Sequence, residues 1–76
     1  MRRIPSLKAR EVVGILKRLG FQEDRQSGGH LILFNPKNKK RIVIPVHAGR
    51  DIKKSLLAKI IKEDLEMTIE KFLEFR

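Results

Sequence analysis

The chain has 76 residues, no cysteine, and 18 Lys or Arg against 9 Asp or Glu, for a formal net charge of +9. That length holds one small core, so a multidomain enzyme and a deep enclosed substrate cavity are excluded, any active site is shallow, and one domain over residues 1–76 is expected. Without cysteine there is no disulfide framework, thiolate zinc site or cysteine nucleophile, and the positive excess favours a polyanionic partner, nucleic acid first.

The longest unbroken apolar stretch is Leu31 to Phe34, far short of the roughly 20 residues of a membrane span. Arg2 and Arg3 begin like an export signal, but no apolar segment follows them, so a soluble, uncleaved, cytoplasmic protein with no membrane partner is expected.

In chain order, Ala9, Val12, Val13, Leu16 and Leu19 form an apolar stripe at helical spacing, which predicts a helix from about residue 8 to 19. Gly20 suits its C-terminal cap, and Phe21 is placed to close back onto it. Residues 22 to 26 have almost no apolar alternation and read as an edge strand. His30 to Phe34 and Arg41 to Val46 are rich in branched apolar residues, with turn residues Asn35-Pro36-Lys37-Asn38 between them, and this predicts a β-hairpin. Pro45 ends the second arm, and a basic loop follows from Val46 to Lys53. A second helix is expected from about Lys54 to Asp64, with Leu56, Leu57, Ile60, Ile61 and Leu65 on one face, and Thr68 resembles the N-cap of a short last helix.

Period-two alternation gives the hairpin apolar side chains on both faces. With the reverse register as the alternative, Leu31, Leu33, Ile42 and Ile44 are expected to face the helices. Ile32, Phe34 and Val43 would then lie beside His30 on the other side, as a docking surface for a protein partner unless residues 68–76 fold over it.

Charge is concentrated in the middle of the chain: from Arg25 to Lys62 there are ten basic residues and one acid, Asp51, whereas the stretch from Glu63 onward is net negative. The Lys39-Lys40-Arg41 run reads either as a solvated hairpin end or, clustered with Arg50, Lys53, Lys54, Lys59 and Lys62, as part of the expected phosphate-contacting surface. Metal-free RNA cleavage needs a base for the 2′-hydroxyl proton, donors for the phosphate and an acid for the leaving 5′-oxygen, and histidine serves in either proton-transfer role. Only His30 and His47 are available. His30 follows Gly28-Gly29, a pair that lets backbone turn tightly and approach a phosphate closely. From the residues alone it reads either as a surface histidine after a turn or as the proton-transfer group. His47 reads as a hydrogen-bonded loop histidine or as a phosphate ligand or second acid. There is no Gly-x-x-x-x-Gly-Lys loop, no His-Glu-x-x-His and no Asp-rich calcium loop, and the acids lack metal-ligand spacing, so neither metal nor cofactor is expected.

Lys-Ala-Arg-Glu-Val-Val at 8 to 13, Leu19-Gly20-Phe21, Arg25-Gln26-Ser27-Gly28-Gly29-His30, Val43-Ile44-Pro45-Val46-His47 and Met67 to Leu73 together resemble the HicA-like (YcfA-like) messenger-RNA interferase toxins of toxin–antitoxin pairs. The family's central Gly-Ser-His is Gly28-Gly29-His30 here, and its frequent second histidine is Leu31. The resemblance implies an α+β fold of double-stranded-RNA-binding type, αβββα, with a three-stranded antiparallel sheet and the two main helices on one face. It also implies ribosome-independent cleavage of mRNA dependent on His30, and inhibition by a HicB-type antitoxin. In that fold the start of the second helix contacts phosphates. The candidate RNA contacts are therefore Gly28 and Gly29, Lys40 and Arg41, and Arg50, Lys53, Lys54 and Lys59. A non-catalytic RNA-binding module of the same fold is the alternative.

Overall fold

The computed structural model describes residues 4–46 and 49–76. Helix α1 spans Ala9–Arg18 and buries Ala9, Val12, Ile15 and Leu16. The buried stripe is thus rotated slightly from the expected one: Ile15 enters the core, while Val13 and Leu19 pack at its margin. At the start of α1 the Glu11 carboxylate accepts the Lys8 backbone N–H at 3.0 Å, which satisfies a donor that a helix N-terminus leaves exposed. At its end the Phe21 N–H donates to the Leu16 carbonyl and the Gly20 N–H to the Lys17 carbonyl. Gly20 takes φ +103°, and the pattern is the Schellman closure expected from Leu-Gly-Phe.

Three antiparallel strands follow, β1 (Gln22–Ser27), β2 (His30–Asn35) and β3 (Lys40–Pro45), in the spatial order β1-β2-β3. β1 is an edge strand with every residue exposed, as its polar sequence requires. Between β2 and β3 the Asn35 side chain accepts the Lys37 N–H and the Asn38 side chain accepts the Lys40 N–H, so both asparagines form the turn they signal. Leu33 and Ile44 are fully buried and Leu31 and Ile42 nearly so, whereas Val43 is 46% exposed. The expected inner face is therefore the observed one. Ile32 and Phe34, half-buried, lie on the other face with His30, Arg41 and Val43.

Helix α2 (Lys54–Lys59) continues directly into a π-helical turn, Ile60–Asp64, so the second half of the predicted helix is wider than an α-helix. Leu65 N–H donates to the Ile60 carbonyl and Met67 N–H to the Ile61 carbonyl. This register turns Ile60 and Ile61 together into the core beside Leu57. Thr68 caps the last helix, α3 (Ile69–Leu73), by accepting the Lys71 N–H at 3.1 Å. Ile69 and Phe72 join the same core, Arg18 of α1 donates to the Phe75 carbonyl, and Arg76 pairs with Glu11. The final segment thus packs on the helical layer and leaves the other sheet face open. The architecture is α+β with the αβββα layout and a three-stranded sheet.

Candidate functional site

A turn of two residues, Gly28 and Gly29, joins β1 to β2, and Ser27 and His30 face each other at its base. Gly28 adopts φ +58°, a conformation glycine takes more readily than residues with a Cβ, as in the hairpin turns whose twist matches that of the strands. His30 opens the central strand, is exposed, and pairs with Pro45 on β3. One hydrogen bond continues the hairpin past its ends: Val46 N–H donates to the Gly29 carbonyl at 2.6 Å. The basic loop therefore leaves the sheet beside His30.

A cleft of about 460 Å³ opens there, lined by Pro45, Arg50, Asp51, Ile52, Lys53 and Leu56. Leu7 anchors its outer side by accepting the Ile52 N–H at 2.8 Å. Asp51, the one acid in the loop, is engaged by Lys8 at 3.5 Å. Among the described residues Arg50, Lys53 and Lys54 have no carboxylate partner, so this end of the molecule presents exposed guanidinium and ammonium groups beside an exposed imidazole. Lys59 is exposed farther along α2. His47 lies outside the described residues.

The remaining two expected RNA contacts are placed differently. Five residue steps separate Lys40 from Pro45 on β3, about 17 Å at strand rise, so Lys40 and Arg41 lie toward the opposite end of the sheet from His30. Lys40 lies on the helix-facing side with Ile42 and Ile44. Its ammonium donates to the Asp64 carbonyl at 2.6 Å and to the Glu66 carboxylate at 3.0 Å, capping the π-helical turn where Glu66 takes φ +52°. Arg41 lies on the open face, where it pairs with Asp24 and stacks 4.9 Å from the centre of the Phe34 ring. Gly28 and Gly29 thus adjoin His30, and Arg50 and Lys53 line the cleft that Pro45, its strand partner, borders, with Lys54 next in sequence, while Lys40 and Arg41 are held apart and already matched to acids.

Away from this end, the fold perturbs the ionisation of Glu11. The Lys8 backbone N–H, with help from the Arg76 guanidinium, holds its carboxyl below the ordinary range. Among the described residues no three His, Asp or Glu side chains stand close enough to hold a metal ion, and no helix is long and apolar enough to cross a membrane.

No curated protein matches the chain. The family model described as "HicA toxin of bacterial toxin-antitoxin" matches residues 9–64, a span from the first residue of α1 through the sheet to the end of the π-helical turn. With most of its length in that match, including the whole Gly28-Gly29-His30 end, the chain belongs to the HicA family of toxins from bacterial toxin–antitoxin systems.

Proposed function

We propose that this toxin is a metal-independent, ribosome-independent endoribonuclease that cleaves mRNA in the cytoplasm, with His30 as its essential general acid or base. The observation that carries the reading is the position of His30: exposed on the central strand, behind a glycine turn, and beside a cleft bordered by Arg50 and Lys53. The sheet fixes the imidazole's backbone on both sides, through Ser27 and Pro45, which limits the motion a proton-transfer group must avoid. Gly28 and Gly29 keep side chains out of the approach to it, and Arg50, Lys53, Lys54 and Lys59 supply sequence-independent contacts to the RNA backbone. Lys40 and Arg41 contribute to the long-range field and not to the site.

Residues 1–76 act in this reading as one toxin domain. A toxin of this family has an antitoxin partner, and we take that partner to be of HicB type. It is acidic where it meets the basic loop, for fast association, and apolar where it covers Ile32 and Phe34 on the open sheet face, for slow release.

Purified protein incubated in EDTA with a single-stranded RNA should release fragments bearing 5′-hydroxyl ends, detected by direct 5′-phosphorylation with labelled ATP. RNA that is bound but stays intact would contradict the nuclease assignment and leave a non-catalytic RNA-binding module.

A further inference from the structure

The register of β1 against β2 shifts between Glu23 and Arg25, so that Glu23 pairs with Leu33 and Arg25 with Ile32 while Asp24 is the extra residue. Strict alternation cannot put two consecutive residues on one face, but a β-bulge can. The ion pairs show that it does so here. Glu23 reaches Lys17 of α1 on the helix side, whereas Asp24 reaches Arg41 on the open side. Arg25 stands opposite Ile32, and Ser27 stands opposite His30, so both of these residues also belong to the open face.

The regular register between the bulge and the Gly28-Gly29 turn, Arg25 to Ile32, Gln26 to Leu31 and Ser27 to His30, sets Arg25 diagonally across from His30. Directly opposed residues of antiparallel strands have Cβ atoms about 5 Å apart and diagonal neighbours are about 7–8 Å apart, within reach of a long side chain. Arg25 is exposed and takes part in none of the ion pairs among the described residues. Asp24, its immediate neighbour and the nearest acid in sequence, is already matched to Arg41. Two arginines thus share the open face, one neutralised near the far end of the hairpin and one uncompensated beside the imidazole.

We propose that Arg25 is a second catalytic residue, whose guanidinium binds the scissile phosphate that His30 acts on. This rests on the endoribonuclease reading. In the reaction the 2′-oxygen forms a bond to phosphorus while its proton passes to the His30 imidazole. The bond from phosphorus to the 5′-oxygen breaks, and that oxygen takes a proton from water. The products are a 2′,3′-cyclic phosphate and a 5′-hydroxyl, with no co-reactant. Negative charge builds on the two non-bridging oxygens at the pentacoordinate stage. A planar guanidinium matches such a pair of oxygens through two parallel N–H donors, which an ammonium cannot do. The Ser27 hydroxyl, directly opposite His30, supplies a further polar group at the same edge.

The test compares Arg25→Ala, Arg25→Lys and Lys37→Ala on one defined single-stranded RNA, with kcat and KM measured separately and thermal melting as the control for folding. Lys37 is an exposed cation in the turn at the opposite end of the hairpin, so its loss removes the same formal charge without touching the site. Arg25→Ala should lower kcat by about 100-fold or more, the usual effect of deleting a donor to developing oxyanion charge, and Lys37→Ala should stay within about two-fold. Arg25→Lys keeps the charge and the strand and should still lose about ten-fold in kcat; it decides the matter if the alanine variant melts substantially lower. Wild-type kcat in Arg25→Lys and a loss in Arg25→Ala no larger than in Lys37→Ala would overturn the proposal. If the wild-type protein binds the RNA without cutting it, the nuclease reading fails separately. Arg25 is then judged on affinity: a drop of at least five-fold for Arg25→Ala but not for Lys37→Ala supports a phosphate contact at His30, and equal affinities overturn it.

Discussion

Replacing Gly28 by alanine tests whether the turn that presents His30 is built as described. Gly28 sits at φ +58°, and a Cβ there would meet no atom of the described residues within 4 Å, so the cost of the substitution is taken as backbone conformation. An L-residue in the left-handed region costs roughly 1–2 kcal/mol, while alanine restricts the unfolded chain and returns about 0.4–1 kcal/mol. The net destabilisation is therefore about 1 kcal/mol, or a fall of about 4–8 °C in Tm for a domain of this size. Asparagine tolerates the left-handed region much better, so Gly28→Asn should lose less than half as much. Thermal melting followed by circular dichroism separates the two. An unchanged Tm for Gly28→Ala, or equal losses for Ala and Asn, would refute a turn that depends on positive φ at Gly28.

Two further outcomes follow from the charges. Because the folded-state pKa of Glu11 lies below its unfolded value, its contribution to stability is complete above the ordinary carboxylate range and is lost as pH falls through the folded pKa. The stability gap between wild type and Glu11→Gln in urea melts should thus be widest near neutral pH and close below about pH 4; a gap constant down to pH 3 would contradict the helix-start hydrogen bond. Replacing Lys53 and Lys54 together by alanine should weaken binding to RNAs of unrelated sequence by similar factors and flatten the slope of log affinity against log salt by about 1 to 1.5, near the value for two phosphate contacts on a single strand. An unchanged slope would move the RNA surface away from the start of α2.

The hairpin was legible in the sequence because Leu31 to Phe34 and Ile42 to Ile44 are strand-forming apolar runs on either side of a turn, but with apolar side chains on both faces it is the helical layer that decides that Leu33 and Ile44 are the buried ones. The edge character of β1 was legible from its polarity. What alternation could not reveal was the bulge at Asp24, since nothing in Gln-Glu-Asp-Arg marks where a register shifts; the place of Arg25 beside His30 needs only the two-residue Gly28-Gly29 turn, which makes Ser27 the partner of His30 and Arg25 its diagonal neighbour. Lys40 and Arg41 are contiguous with Lys39 along the chain, but adjacent strand residues point to opposite faces, so the structure separates the two side chains. The signal was present: Lys40 shares the parity of Ile42 and Ile44, which places it under the helices, where Asp64 and Glu66 receive it. The π-helical turn had no local signature, since its wider register is set by bringing both Ile60 and Ile61 into contact with the core.

The central claim, that this toxin cuts RNA through His30, is tested most directly by following cleavage and binding of one single-stranded RNA side by side for the wild type and His30→Ala. His30 is exposed and anchors no core contact, so the variant should melt within about 2 °C of wild type, a shift in keeping with surface substitutions. The expected result is cleavage by the wild type in EDTA, a loss of at least about 100-fold in the variant, and RNA affinities within about three-fold of each other. Cleavage by a folded His30→Ala at the wild-type rate would remove the histidine from the chemistry and contradict the account.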